Sequence, residues 1–388
     1  MKLLKKVYNY FIYLLKRHIY TSLDYRTNRH IVVIESDDWG SIRMPRRSGW
    51  EELLKMGYAV DRRPYERFDT LESIDDVEAL FKVLRKHRDS KGNHPIVTAN
   101  MLVANPDFKK ILNSGYRDYY YESVSDTYKK YFGNARILDI MKTGIKEGIF
   151  MPQCHGREHF NVIRWMRGLQ DGNKDLMLSF KYGMCGIAPK SNPDSGNTLM
   201  MALDADNETD LGVINKIVAE GLQLFEKLWG FKSKSFVAPC YLWNTITEKV
   251  LADEGVQLIQ TARTSKSTYN SPVRFFFTGK RNNYGQRYST RNCDFEPATT
   301  VNNVTAKELL AQVERAFQRR KIAIISSHRI NYVSGIDRSN RTRTLEILDE
   351  FFSLLIDKYP DIEFMSSDKI YELLMQNENI NVLSSGKI

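Results

Sequence analysis

Residues 30–45 read HIVVIESDDWGSIRMP. The apolar, β-branched run Ile31–Ile34 is short and reads as a buried strand. It leads into Glu35, Ser36, Asp37 and Asp38, then Trp39 and Gly40. Two adjacent carboxylates at the end of such a strand are costly to desolvate unless something pairs with them. A metal ion or a catalytic task would account for that cost, provided the rest of the chain supplies the partners.

Working outward, strands alternate with helices. Apolar periodicity predicts helices over 74–88, 137–146, 211–229, 245–254, 305–319, 342–358 and 370–376, and strands over 95–103, 148–153, 235–239, 256–261, 321–327 and 362–365. The alternation argues for an α/β fold with a parallel sheet, either open and doubly wound or closed as a barrel. No Pro/Gly linker divides the chain, so a single elaborated domain over 30–376 is expected, with an insertion near 160–210. Residues 106–135 read as tyrosine-rich and irregular, 266–303 as loop-rich and basic, and 377–388 as a polar, frayed tail. The polar residues of interest fall at strand C-terminal ends: Asp37 and Asp38, Asn100, His155 and His159, Tyr241, His328. That rim is where chemistry collects in a parallel barrel.

Of 388 residues, 42% are apolar, which is ample for a sizeable core, and the net charge is +10. A basic balance favours anionic partners. No zinc finger, aromatic RNA-binding signature or glycine-rich phosphate loop is present, so nucleic acid is not expected. The four cysteines have no paired spacing, which suits a reducing, cytoplasmic compartment. Residues 1–29 form a basic, helical segment. Its apolar run is far short of the roughly 20 residues of a membrane span, and it lacks a cleavage site. It reads either as a helix packed on the outside of the domain or as an amphipathic helix in peripheral contact with an anionic membrane.

His155 and His159 are spaced i, i+4, so a helix after the third strand would bring both imidazoles to one face. A carboxylate from another strand end, Asp38 or Asp37, would complete a two-histidine, one-carboxylate metal site with open positions. His328 follows an apolar strand. It reads as a strand cap, a general acid or a further ligand. Trp39, Tyr241 and Trp243 read either as rim packing or as an aromatic wall suited to a sugar ring. Arg157 and Arg329 adjoin ligand candidates and could brace them. The remaining histidines, and Cys154 and Cys240, read as structural.

In order, these motifs resemble the polysaccharide deacetylases, carbohydrate esterase family 4. That family has Thr-Phe-Asp-Asp, then His-Ser/Thr-x-x-His, Arg-x-Pro-Tyr/Phe and, late in the chain, Leu-x-His. The counterparts are Glu35-Ser36-Asp37-Asp38, His155-Gly156-Arg157-Glu158-His159, Phe236–Tyr241 and Ile325–His328. The resemblance spans roughly residues 31–374. It implies a distorted (β/α) barrel of about seven strands. It also implies a divalent metal, usually zinc, on Asp38, His155 and His159, with Asp37 as general base and His328 as general acid. A backbone N–H near Tyr241 would help hold the oxyanion. The substrate would be an acetylated saccharide or polysaccharide, or its lipid-linked precursor, in a bacterial envelope setting. Two positions depart from the pattern. Gly156 replaces Ser/Thr, and the arginine of the third motif, which positions the base, is missing, with Val237 or Ala238 in its place. Arg291, Arg329 and Arg43 are the candidates to replace it. The gap favours an alternative, a catalytically impaired saccharide-binding or assembly protein on the same barrel. An enzyme acting on a small-molecule amide is a further reading.

Overall fold

The computed structural model describes residues 2–195, 198–299 and 304–376. The expected tail, 377–388, lies outside the described residues, as do small parts of the 190–198 and 266–303 loops. Among the described residues, nine strands form the main sheet: β1 (Ile31–Trp39), β2 (Val97–Leu102), β3 (Phe150–Gly156), β4 (Ser235–Val237), β5 (Leu258–Thr261), β6 (Arg287–Thr290), β7 (Cys293–Asp294), β8 (Ala323–His328) and β9 (Glu363–Met365). All pair in parallel, in the order β6-β5-β4-β3-β2-β1-β8-β7, with β9 alongside the start of β1. The two ends of this path, β6 and β7, are consecutive in sequence. Between them Arg291 N–H donates to Thr261 O and Asn292 N–H to Ile324 O, so the chain itself crosses the seam of the curled sheet. The fold is a distorted parallel barrel.

Side-chain alternation sorts the strands into two faces. Val32 and Ile34 face outward into the main core with Leu80, Phe81, Leu309 and Phe351 from the surrounding helices. These helices include α2 (Ile74–Lys86), α3 (Arg136–Lys146), α6 (Glu208–Trp229), α7 (Ala306–Gln318) and α8 (Arg338–Lys358). Capping boxes start α2 at Ser73 and α7 at Thr305. Ile31 and Val33 face inward and meet Leu258 and Ile324, and the barrel floor is closed by Ile370, Leu373 and Leu374 from a helix over 370–376. Above this apolar layer, the inward positions turn polar: Glu35, Asn100, Gln260 and Ser326 are all buried. A chain that fills a barrel with carboxylates and amides must satisfy them there, and these residues lie beneath the candidate site.

Several sequence expectations shift. β1 extends five residues beyond Ile34, because pairing with β8 continues through Asp37. The stretch 106–135 contains helices Phe108–Asn113 and Val124–Phe132 and an antiparallel pair, Ala104–Pro106 with Tyr121–Ser123. These elements are too short for hydrophobic periodicity to register. Helices α4 (Val162–Gln170) and α5 (Lys174–Lys181) lie in the expected insertion. The last long helix starts at Arg338, capped by Asp337, rather than at Thr342.

Candidate active site

Strand register builds the site. Asp37 lies directly opposite His328 across β1 and β8. Asn100 lies opposite Gln153 across β2 and β3, two residues before His155. In a regular strand Asp37 and Asp38 would point to opposite faces. Instead, the β1–β2 register shifts between Ser36 and Trp39, and Asp38 takes φ 74°. This bulge turns both carboxylates into one cavity of about 260 Å³, which His155, His159, Tyr241 and His328 also line. A left-handed aspartate costs about 1 kcal/mol, strain of the kind that clusters at functional sites.

The two histidines meet by a different route from the one expected. His155 is on β3 and His159 lies in an irregular turn, so no helix aligns them. Gly156 at φ 130° folds the chain back, and the imidazole centroids come within 4.9 Å. That conformation explains glycine where the resembled motif has Ser/Thr. Asp38 Oδ1 is 3.4 Å from His155 Nε2 and 3.0 Å from His159 Nε2.

Three observations test this trio as a cation site. First, the three potential ligand atoms lie within 4.8 Å of one another and all three residues are buried. Second, His155 Nδ1 donates to Val237 O at 2.8 Å, which leaves Nε2 as a bare lone pair. Third, His155 Nε2 and Asp38 Oδ1 have no hydrogen-bond partner among the described residues. Two buried acceptors facing each other at 3.4 Å repel unless a cation sits with them. The set fits a divalent ion of the kind that imidazole and carboxylate hold together. His159 is the least prepared of the three. Arg43 donates to its Nδ1 at 3.1 Å, which leaves the ring proton on Nε2, close to Asp38 Oδ1 but not aligned to bond it. Cation binding therefore requires that proton to move to Nδ1 and Arg43 to turn away. Burial, with Arg43 adding to it, pushes the His159 pKa down to about 4 against the pull of Asp38, so the neutral ring is favoured. Burial would raise the Asp38 pKa, but His159, Arg43 and His155 hold it well below the usual carboxylate range.

The cation missing from the third motif comes from the barrel seam. Arg291 donates from Nη1 to Asp37 Oδ2 and from Nη2 to Asp37 Oδ1, both at 2.7 Å, and from Nε to Glu35 Oε2 at 2.6 Å. Asn100 Nδ2 donates to Asp37 Oδ1 at 2.7 Å, and Ser367 Oγ to Glu35 Oε1 at 2.7 Å. Burial would raise the Asp37 pKa, but the Arg291 charge and its hydrogen bonds hold it down at about 2. For Glu35, burial outweighs the same arginine and the pKa is raised. One guanidinium thus serves two carboxylates and favours ionisation of the one facing the cavity. Of the other two candidates, Arg43 lies beside Asp38, and Arg329 is fully buried against Asp69 and Glu72.

His328 Nε2 stands 3.8 Å from Asp37 Oδ2, and its Nδ1 pairs with Glu296 Oε1 at 2.5 Å. Burial works against the imidazolium, but the Glu296 charge and hydrogen bond raise its pKa to about 10. The His328–Glu296 pair therefore contributes stability fully below the ordinary histidine value and loses it as pH rises toward 10. Glu296→Gln is expected to move the alkaline limb of any His328-dependent activity down by about one to two pH units, read from a pH–rate profile. An unmoved limb would detach His328 from Glu296.

The structure places other predicted residues elsewhere. Trp39 is buried in the core against Phe150 and Tyr332 and does not line the cavity. Trp243 is likewise buried, stacked on Phe276 with its N–H donated to Glu248. Neither forms an aromatic wall, because each follows its site motif on the side facing the helices and loops. Tyr241 does line the cavity, but its backbone N–H donates to Ala238 O, and its hydroxyl receives Arg291 Nη1 at 2.8 Å. An oxyanion role for the Tyr241 amide is therefore not available. Arg157 pairs with Glu158 and Glu220, away from the cavity. Arg329 braces Asp69, whose Oδ2 is 3.7 Å from Arg43 Nε. Sequence reasoning missed Glu35, Gln260 and Glu296, and also Tyr65, which lines the cavity with Arg43 over its ring. For Glu35 the signal was present, since residues i and i−2 of a strand share a face. For Glu296 there was none, because a loop delivers it. The opposite cavity wall is apolar, with Phe160, Met184, Cys185 and Met200 contributed by the segment after β3.

No family model matches the chain, and no curated protein matches it. Solved structures do. A 4-alpha-glucanotransferase from Thermococcus litoralis matches at 11% identity and TM-score 0.43, covering 88% of this chain. This chain spans only 40% of that enzyme's length. The peptidoglycan deacetylase PdaC from Bacillus subtilis matches at 10% identity and TM-score 0.40, covering 93% of this chain and 98% of its own. BA3943, a CE4 family pseudoenzyme from Bacillus anthracis, matches at 10% identity and TM-score 0.38, covering 89% of this chain and 68% of its own. At such low identity, function is argued from the site's own residues.

Proposed function

We propose that this chain is a divergent carbohydrate esterase family 4 deacetylase, a metal-dependent hydrolase that removes N- or O-linked acetyl groups from a saccharide, a polysaccharide or its lipid-linked precursor. The observation that carries the proposal is the clamp of Arg291 on Asp37 beside the Asp38–His155–His159 trio, with the Glu296-paired His328 next to it. Asp38, His155 and His159 would hold the ion, with zinc the expected one. When bound, the ion supplies Lewis acidity toward the acyl carbonyl and lowers the pKa of water.

The protein's own groups do the rest. Asp37, ionised and fixed by the Arg291 fork, takes one proton from the attacking water. A carboxylate with so low a pKa is a weak base, so its contribution is placement next to the nucleophile. His328, held as imidazolium by Glu296, gives its Nε2 proton to the departing amine or alcohol. One proton is taken and one is given, leaving a free amine or hydroxyl and acetic acid, which ionises to acetate on release. The apolar wall at Phe160 and Met200 suits the acyl methyl group. Arg291 also supplies the cation whose absence from the third motif favoured a binding-only protein.

The test is acetate release from N-acetylglucosamine oligomers and O-acetylated xylan, with metal-loaded and chelator-stripped protein. Release is expected from at least one substrate when loaded, lost on stripping and restored by metal. Release that survives stripping would overturn the proposal, and so would a loaded protein inert on both substrates.

A further inference from the structure

The N-terminal helix, α1 (Lys2–Ser22), is built inside out relative to the body it rests on. Its aromatic contacts with the body run through Tyr13 and Tyr20, and Lys321 Nζ donates to Thr21 O near its C-terminal end. Tyr13 meets Phe275 at 5.7 Å, and Tyr20 meets Phe275 at 5.3 Å and carries Lys280 over its ring. Tyr13, Lys16, Arg17 and Tyr20 are spaced three, one and three apart and share one helix face. The apolar stripe, Tyr8, Phe11, Leu14 and Leu15, falls on the opposite face and points to solvent. Phe11 is 62% exposed, Tyr8 64% and Leu15 46%. A helix packed for stability alone turns its apolar stripe toward the core. This one turns it away.

Charge indicates what covers that stripe. The helix sequence carries Lys2, Lys5, Lys6, Lys16 and Arg17 and no acidic residue. Lys16 and Arg17 are exposed on the shoulders of the docked face, where long basic side chains can reach headgroups while the apolar face enters the acyl boundary. Tyrosine and phenylalanine at that depth match the amphipathic chemistry of the interface. No helix among the described residues is long and apolar enough to cross a membrane.

We infer that α1 lies flat on an anionic lipid surface, apolar stripe down, and anchors the barrel there. The docking tyrosines tie the helix to the loop around Phe275, so the body sits on the face of its anchor that points away from the membrane. The inference stands apart from the proposed activity.

The test is flotation of the full chain with vesicles of mixed phosphatidylglycerol and phosphatidylcholine, and with phosphatidylcholine alone. Co-flotation with the anionic vesicles is expected, weakened by raising salt from about 0.1 M to about 0.5 M. The double variant Phe11→Ser with Leu15→Ser should lose roughly tenfold or more in vesicle partition. Its thermal unfolding should match the parent, since neither side chain packs in the core. Lys16→Glu with Arg17→Glu should lose the anionic preference with the apolar stripe intact. No flotation with anionic vesicles would overturn the inference. So would equal flotation with both vesicle types. A chain that stays unfloated but sediments as a dimer, with the serine variant monomeric, would assign the stripe to a second copy instead.

Discussion

Arg291→Met is expected to cut acetate release by roughly 10²–10³-fold and to destabilise the chain by about 3–5 kcal/mol. The guanidinium holds Glu35 and Asp37 together, both almost fully buried, with all three of its nitrogens in use. Removing it leaves two carboxylates side by side in a low-dielectric layer with only Asn100, Ser367 and neighbouring polar groups as company. One of them must then take up a proton. The acid side of the stability profile should change in a specific way. Because Asp37 titrates near 2, below its ordinary value, its contribution is present above that ordinary value and is lost as pH falls through 2. In Arg291→Met the depressed pKa is gone, and with it this contribution at neutral pH. Arg291→Lys keeps a charge but loses the fork, so it should fall between the two. Urea unfolding across pH, with acetate release on the same preparations, checks both effects. A variant that unfolds like the parent would show that Arg291 is not the ion that pairs these acids.

Asp38→Ala and His155→Ala are expected to abolish metal binding and lower acetate release roughly a thousandfold or more, the scale of several kcal/mol of lost charge stabilisation. Stability separates this from misfolding. Metal added at about a hundred times its dissociation constant should stabilise the parent by about 2.7 kcal/mol. Neither variant should respond. Without metal, Asp38→Ala should unfold somewhat earlier than the parent. It relieves the contact with His155 Nε2 but removes the carboxylate that Arg43 and His159 hold ionised.

Much of the site was legible because strand ends announce themselves. Asp37, Asp38, His155 and His328 each follow an apolar run, and parallel pairing brings such ends to one rim. How they meet was less legible. The i, i+4 histidines suggested a helix, whereas a positive-φ Gly156 does the work. Adjacent aspartates suggested a shared direction, which needed a bulge that no residue pattern encodes. Trp39 and Trp243 sit next to site motifs, yet alternation and turn geometry send both rings away from the cavity, into the core around the barrel. Arg291 was one of three candidates for the missing cation. Only the seam between β6 and β7, a consequence of how the sheet curls, selects it. Glu296 arrives on a loop and Tyr65 on a five-residue helix, Pro64–Phe68, too short for periodicity to place either.

The divalent metal content of the full chain, loaded and then dialysed, beside His155→Ala treated in parallel, tests the Asp38–His155–His159 site most directly. About one tightly held ion per chain is expected for the parent, and none for the variant. A parent that retains no ion, or a variant that retains as much as the parent, would contradict it.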